Sequence, residues 1–220
     1  MKKIINFIFV FLILYFLCTN FIVCFSKTPD LFGSSREKCF AKQDLAVYSK
    51  RAIIYERNSK TILYDKNIDD VCKMASTTKI MTAIVVLEHS DLNKVVTVSK
   101  KAATTGGSRL GLHTGDKITV KNLLYGLLLC SGNDAAIALA ESTSGDVNSF
   151  LALMNLTAFR LGLKSTHFES PHGLDSKNHF TTAYELAIIT DYALSKEAVK
   201  KFARCKNRTI SINNYTKTIS

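Results

Sequence analysis

Ser76-Thr77-Thr78-Lys79, followed by the apolar run Ile80-Met81-Thr82-Ala83-Ile84-Val85-Val86-Leu87, decides how this chain is read. The run predicts a helix, and on a helix Ser76 and Lys79 lie three residues apart on one face, close enough to interact. A serine hydroxyl becomes a nucleophile when a base takes its proton. A lysine sunk among apolar side chains can be that base, because desolvation disfavours its charged form. The helix N-terminus adds a positive field that favours negative charge developing at Ser76. The combination points to an acylating serine. A second S-x-x-K, Ser35-Arg36-Glu37-Lys38, follows Gly33-Ser34 in a polar run with no apolar helix behind it, and reads as a solvated serine and lysine.

A second constellation, Ser131-Gly132-Asn133, falls at the junction of an apolar helix and an alanine-rich one. Such junctions present backbone and side chains to a cleft, and Gly132 admits a close neighbour. Two readings stay open here, a chemical one and an N-cap for the following helix, for which Ser and Asn are both favoured. Ser176-Lys177-Asn178 and Ser211-Ile212-Asn213 share the S-x-N pattern, so it is not specific alone.

The chain of 220 residues, 47% hydrophobic and 21% charged, has the make-up of one folded domain with a proper core. Residues 1–26 read as an export signal: Lys2-Lys3 form a positive n-region and Phe7 to Leu17 an uninterrupted apolar h-region, with a cut after Ser26. The rival reading is an uncleaved anchor over Ile4 to Phe25. Either way the working part is expected to be exported, at the outer face of the cytoplasmic membrane or in the cell wall. Bulky Leu17 and Val23 argue against lipid attachment at Cys18 or Cys24. Loss of the leader lowers the net charge of +11 by two lysines, to +9. A basic exported chain is drawn to anionic lipid or wall polymer. The charge is spread out, with no compact basic stripe or zinc-finger spacing, so no nucleic-acid partner is expected. Cys39, Cys72, Cys130 and Cys205 allow three pairings, but their wide spacing is unlike a disulfide scaffold. Cys130, ending Leu127-Leu128-Leu129, reads as a buried small hydrophobe.

Residues 27–43 form a polar lead-in, and 44–220 the domain. Ala52–Glu56 and Thr61–Tyr64 read as strands around the turn Arg57-Asn58-Ser59-Lys60, and Val95–Val98 as a short strand before a loop at Thr104–Ser108. Helices are predicted over Val120–Cys130, Asp134–Ser142 and Val147–Leu161, the last closed by Gly162. Thr182 with Glu185 makes a capping-box start for a helix through Leu194, and Thr209–Ile212 begins a strand.

Ser76-Thr77-Thr78-Lys79 and Ser131-Gly132-Asn133-Asp134-Ala135 together resemble the serine D-alanyl-D-alanine carboxypeptidases, the low-molecular-weight penicillin-binding proteins. Tyr55–Tyr64, Gly115–Val120, Leu123–Leu128 and Ser170-Pro171-His172-Gly173-Leu174-Asp175 resemble further family segments in order, so the likeness runs from about Leu45 to Ile212. It implies an α/β (α+β type) penicillin-binding protein and β-lactamase-like fold, a helical lobe plus an incomplete antiparallel sheet. It also implies a mechanism. Ser76 would attack the penultimate D-alanine carbonyl of a peptidoglycan stem peptide, Lys79 would take its proton, and Ser131 would relay protons to the leaving amine. Asn133 would bind the substrate amide and help hold Lys79, and the Ser76 N–H would form half an oxyanion hole. No metal or organic cofactor is implied, and β-lactams would acylate Ser76 as substrate mimics.

One departure stands out. The family's Lys-Thr-Gly motif is absent; Lys217-Thr218-Ile219 imitates its first two residues only. The chain therefore reads as a family member cut short before its C-terminal strands, and a non-catalytic wall- or β-lactam-binding remnant is the alternative. A β-lactamase, or a metal-dependent peptidase using His167, His172, Asp175 and His179, is a more distant one; their spacing matches no H-E-x-x-H pattern.

Overall fold

Seven apolar residues among the eight of Ile80–Leu87, interrupted only by Thr82, make the helix after Ser76 hydrophobic nearly all round, and such a helix belongs in the middle of a domain. The computed structural model, which describes residues 46–174 and 176–220, places it there. The leader, the lead-in, the second S-x-x-K, Cys39 and Asp175 lie outside the described residues. All the elements described belong to one unit of the chain, Arg36–Ser220.

The chain opens with the hairpin β1 (Ala52–Glu56) and β2 (Thr61–Lys66), antiparallel with an irregularity between Ile54 and Tyr55. A 3₁₀ turn, Ala75–Thr77, then leads into α1 (Thr78–His89). A second ladder pairs β3 (Val95–Thr97) with β4 (Lys117–Thr119), and the short helix α2 (Lys100–Ala103) lies between them in sequence. Four longer helices follow, α3 (Val120–Leu129), α4 (Asn133–Ser144), α5 (Val147–Arg160) and α6 (Ala183–Ser195). The described chain ends with α7 (Glu197–Ala203) and the hairpin β5 (Arg208–Ile212) and β6 (Tyr215–Ile219). Among the described residues the strands form three separate two-stranded antiparallel sheets.

Helix α1 buries Met81, Ala83, Ile84, Val85 and Val86 and is packed against α3, α4, α5, α6 and α7. The alanine-rich α4 lies close against it because Ala135, Ala136, Ala138 and Ala140, all buried, add little bulk. Helix starts carry their own chemistry. Thr119 Oγ1 accepts from Asn122 N (3.2 Å), Asp146 Oδ1 accepts from Asn148 N and Ser149 N (2.8 and 2.9 Å), and Thr182 Oγ1 accepts from Glu185 N (3.1 Å). Gly162, at φ 73°, stands just beyond α5, as the sequence predicts.

The helical lobe, the first hairpin and the strand from Thr209 match expectation; β4, β6, α2 and α7 were not foreseen. The first hairpin rests against α6, anchored where Asp191 takes Arg57 Nε at 2.7 Å and Lys60 Nζ at 2.6 Å. The cleft beside it, about 390 Å³, is lined by Ile53, Tyr55, Leu186 and Leu194 among others, and by none of the four candidate site residues. Among the described residues no helix is long and apolar enough to cross a membrane. Cys72, Cys130 and Cys205 are free thiols, and Cys130 is half-buried rather than buried.

Candidate active site

Ser76 does not sit in the helix proper but in the 3₁₀ turn before it, and it is exposed. Ala75 holds a φ of 43°, a region that costs a residue with a Cβ about 1–2 kcal/mol. The Thr77 N–H donates to Met74 O at 3.1 Å, and Thr77 Oγ1 donates to the same carbonyl. Gly173 lies against the Ala75 carbonyl so tightly that a Cβ there would overlap it, and its own φ is 90°. The turn is thus clamped from outside by the segment Ser170–Gly173.

Lys79, one turn on, is only 2% exposed. Its ammonium has three donors, and each has a partner: Ser76 Oγ at 3.1 Å, Ser131 Oγ at 3.1 Å and the His172 carbonyl at 3.0 Å. Burial pushes its pKa down from 10.5 to about 8, and the Asp134 carboxylate opposes that shift. Two hydroxyls from different elements therefore meet at one nitrogen that holds its proton less tightly than an exposed lysine does. That is the geometry needed to pass a proton from one to the other.

Ser131 follows the end of α3 with a φ of 51°, again in the left-handed region. The capping reading of this motif does not describe the structure. Gly132 is the N-cap of α4, it makes no side-chain cap bond, and Asn133 is already helical. Asn133 is buried, and its Nδ2 donates to Gly106 O at 2.7 Å. The three donors of the Lys79 ammonium go to Ser76, Ser131 and His172.

The histidines have separate tasks. His172 serves Lys79 through its carbonyl; burial, with the nearby Lys79 and His179, pushes its imidazole down to about 4. His179 Nδ1 accepts from Glu169 N (3.0 Å), which leaves Nε2 to donate to Thr78 Oγ1 at 2.7 Å. His167 Nδ1 donates to Asn178 O at 2.7 Å. Among the described residues no group of three or more His, Cys, Asp or Glu is arranged to hold a metal.

Two parts of the site escape a reading of the sequence. The His172 carbonyl is a backbone group with no residue signature, although Gly173 beside it is a signal. The segment 106–112, tied down by Asn133 and Asp134, carries only loop chemistry in its residues.

A family model described as D-alanyl-D-alanine carboxypeptidase matches residues 38–220. The chain is 41% identical over 174 residues to D-alanyl-D-alanine carboxypeptidase DacF of Bacillus subtilis (strain 168), covering 74% of this chain and 45% of that protein. It is 36% identical over 179 residues to DacC of Escherichia coli (strain K12), covering 76% and 44%. The chain thus spans just under half the length of these curated relatives. Among solved structures, a mutant of the Streptomyces K15 DD-transpeptidase superposes with a TM-score of 0.75 at 33% identity, covering 80% of this chain and 74% of that one. A Mycobacterium tuberculosis D-alanyl-D-alanine carboxypeptidase superposes at 0.74 with 30% identity, covering 77% and 65%. On the family match, with the curated relatives and the shared fold beside it, the chain belongs to the D-alanyl-D-alanine carboxypeptidase family.

Proposed function

We propose that the protein is a serine-type D-Ala-D-Ala carboxypeptidase that trims peptidoglycan stem peptides. Ser76 Oγ attacks the carbonyl carbon of the penultimate D-alanine while its proton passes to Lys79 Nζ, so the carbon–oxygen bond forms as the O–H breaks. Negative charge gathers on the carbonyl oxygen, towards which the Ser76 N–H is available as one donor. The tetrahedral adduct then collapses. Its carbon–nitrogen bond breaks, and the proton on Lys79 reaches the leaving amine through the Ser131 hydroxyl, releasing free D-alanine. Water, deprotonated by the same route in reverse, hydrolyses the acyl ester and restores Ser76. Asn133 takes the part of substrate-amide ligand, and no cofactor enters any step.

The observation that carries this reading is Lys79 Nζ at 3.1 Å from both Ser76 Oγ and Ser131 Oγ, buried and lowered to about pKa 8. β-Lactams, whose strained amide occupies the same position, are expected to acylate Ser76. Residues 1–26 are proposed to direct export, placing the basic chain beside anionic wall polymer or lipid, with no part for nucleic acid. The test is release of free D-alanine from an N-acylated L-Lys-D-Ala-D-Ala peptide. Release by the wild type that is lost in Ser76→Ala supports the proposal, and equal release by both proteins overturns it.

A further inference from the structure

Asp134 stands on the first turn of α4 next to Asn133, is 0% exposed, and has no part in the proton path between Ser76 and the leaving amine. Its carboxylate is nonetheless fully engaged. Oδ1 accepts from Leu110 N and Ala135 N, both at 2.8 Å, and Oδ2 accepts from Gly111 N at 2.8 Å and Leu112 N at 3.0 Å. Arg109 Nε lies 3.9 Å from Oδ2. Four N–H groups fill the lone-pair sites of one carboxylate, and that is the condition under which a buried charge is tolerated. The position at the start of α4 adds the favourable helix field.

Three of those four donors come from consecutive residues of one segment, and the same segment is tied to the S-x-N turn at further points. Asn133 N donates to Ser108 O at 2.7 Å and Asn133 Nδ2 to Gly106 O at 2.7 Å. A Cβ on Gly132 would lie 3.0 Å from Leu110 N and 2.9 Å from Asp134 Oδ1, so the two backbones are in contact there. Lys217 Nζ, from β6, closes the far side by donating to Leu110 O at 2.7 Å. Ser131, whose hydroxyl meets Lys79, is one residue before Gly132 and holds its left-handed backbone within this assembly.

We propose that Asp134 is a positioning residue for the acyl transfer: its carboxylate locks segment 106–112 onto the 131–134 turn and so fixes the Ser131 hydroxyl against Lys79. This rests on the serine-peptidase reading. The same carboxylate acts on Lys79 through space, countering the effect of burial. The other titratable groups around the pair are His172 and His179, from the 167–180 segment, together with Arg109, Lys217 and Cys130 near Asp134.

The test is the near-isosteric Asp134→Asn, in which an amide N–H faces two backbone donors where an oxygen accepted them. Three readouts apply: amide exchange at residues 110–112, the Lys79 titration midpoint followed by NMR at its ε-carbon, and the acylation rate with a fluorescent penicillin against pH. A folded variant should exchange these amides about tenfold faster or more and titrate Lys79 below the wild-type midpoint. It should acylate about tenfold to a hundredfold more slowly, with the acid limb moved to lower pH. Wild-type acylation, or a lowered Tm with the Lys79 midpoint and pH limb unmoved, overturns the proposal. If the variant does not fold, the wild type decides: amides of Leu110, Gly111 and Leu112 exchanging as fast as those of exposed Gly106 and Gly107 refute the lock. A wild type that penicillin does not label refutes the serine reading instead, and exchange with the Lys79 midpoint still judges Asp134.

Discussion

Lys79 carries two demands that pull against each other. It must be buried for its proton to be held loosely, and it must be fixed for its nitrogen to face two hydroxyls. The structure meets both with three acceptors, of which one, the His172 carbonyl, is neutral backbone that neither titrates nor reacts. Replacing Lys79 by Arg keeps the charge but removes the proposed base, because a guanidinium does not deprotonate at ordinary pH. Acylation by penicillin should then fall by about 10²–10⁴-fold, the usual worth of a general base, while circular dichroism stays native. Near-normal acylation would remove Lys79 from the mechanism. In the wild type, acylation should rise with pH through about 8 as Lys79 loses its proton; a rate flat from pH 6 to 10 would contradict that. The pairing of Ser76 with Lys79 was legible from three-residue spacing. The locks on Ser131 and Asn133 were not, because Asp134 meets three of its four backbone partners 22 to 24 positions away, and amide donors look alike in every residue.

Among the elements, the turn before α1 depends on a neighbour distant in sequence. Gly173 faces the Ala75 carbonyl at a φ of 90°, so Gly173→Ala combines overlap with backbone strain. It should lose about 2–3 kcal/mol in urea unfolding and label poorly with penicillin, since Ser76 would move with Ala75. Unchanged stability would mean that segment 170–173 is not the clamp described. Elements written in local chemistry were readable beforehand, as the hairpin at Arg57–Lys60 and the start of α6 illustrate. The capping box at Thr182 is only half used. Thr182 accepts from Glu185 N, but the Glu185 carboxylate turns away to Lys164 N, Ser165 N and Thr166 Oγ1. Strand β4 and helices α2 and α7 are three, four and seven residues long, too short for periodicity to announce them.

For the molecule as a whole, a helix buried on every side places its one lysine at the centre of the lobe, and that couples stability to pH. Below about pH 8 both folded and unfolded chains hold the Lys79 proton, and the cost of burying the charge is borne in full. Between about 8 and 10.5 the unfolded chain binds the proton more tightly, so this group makes stability rise with pH, by about 3 kcal/mol across the window. Comparing wild type with Lys79→Met at pH 7 and pH 10 isolates the effect. The wild type should gain relative to the variant on going to pH 10; a difference independent of pH would mean that Lys79 is not held near 8. The fold class came from the family resemblance that the motifs and their order carry, whereas the separation of the described strands into three small sheets depends on long-range packing that no local pattern records.

The proposed mechanism stands or falls on Ser76 as the acylated nucleophile. Incubation with a labelled penicillin, digestion and mass spectrometry measure it directly. One adduct is expected, on the peptide containing Ser76, and none in Ser76→Ala. Label that persists in that variant, or that maps to Ser35, would contradict it.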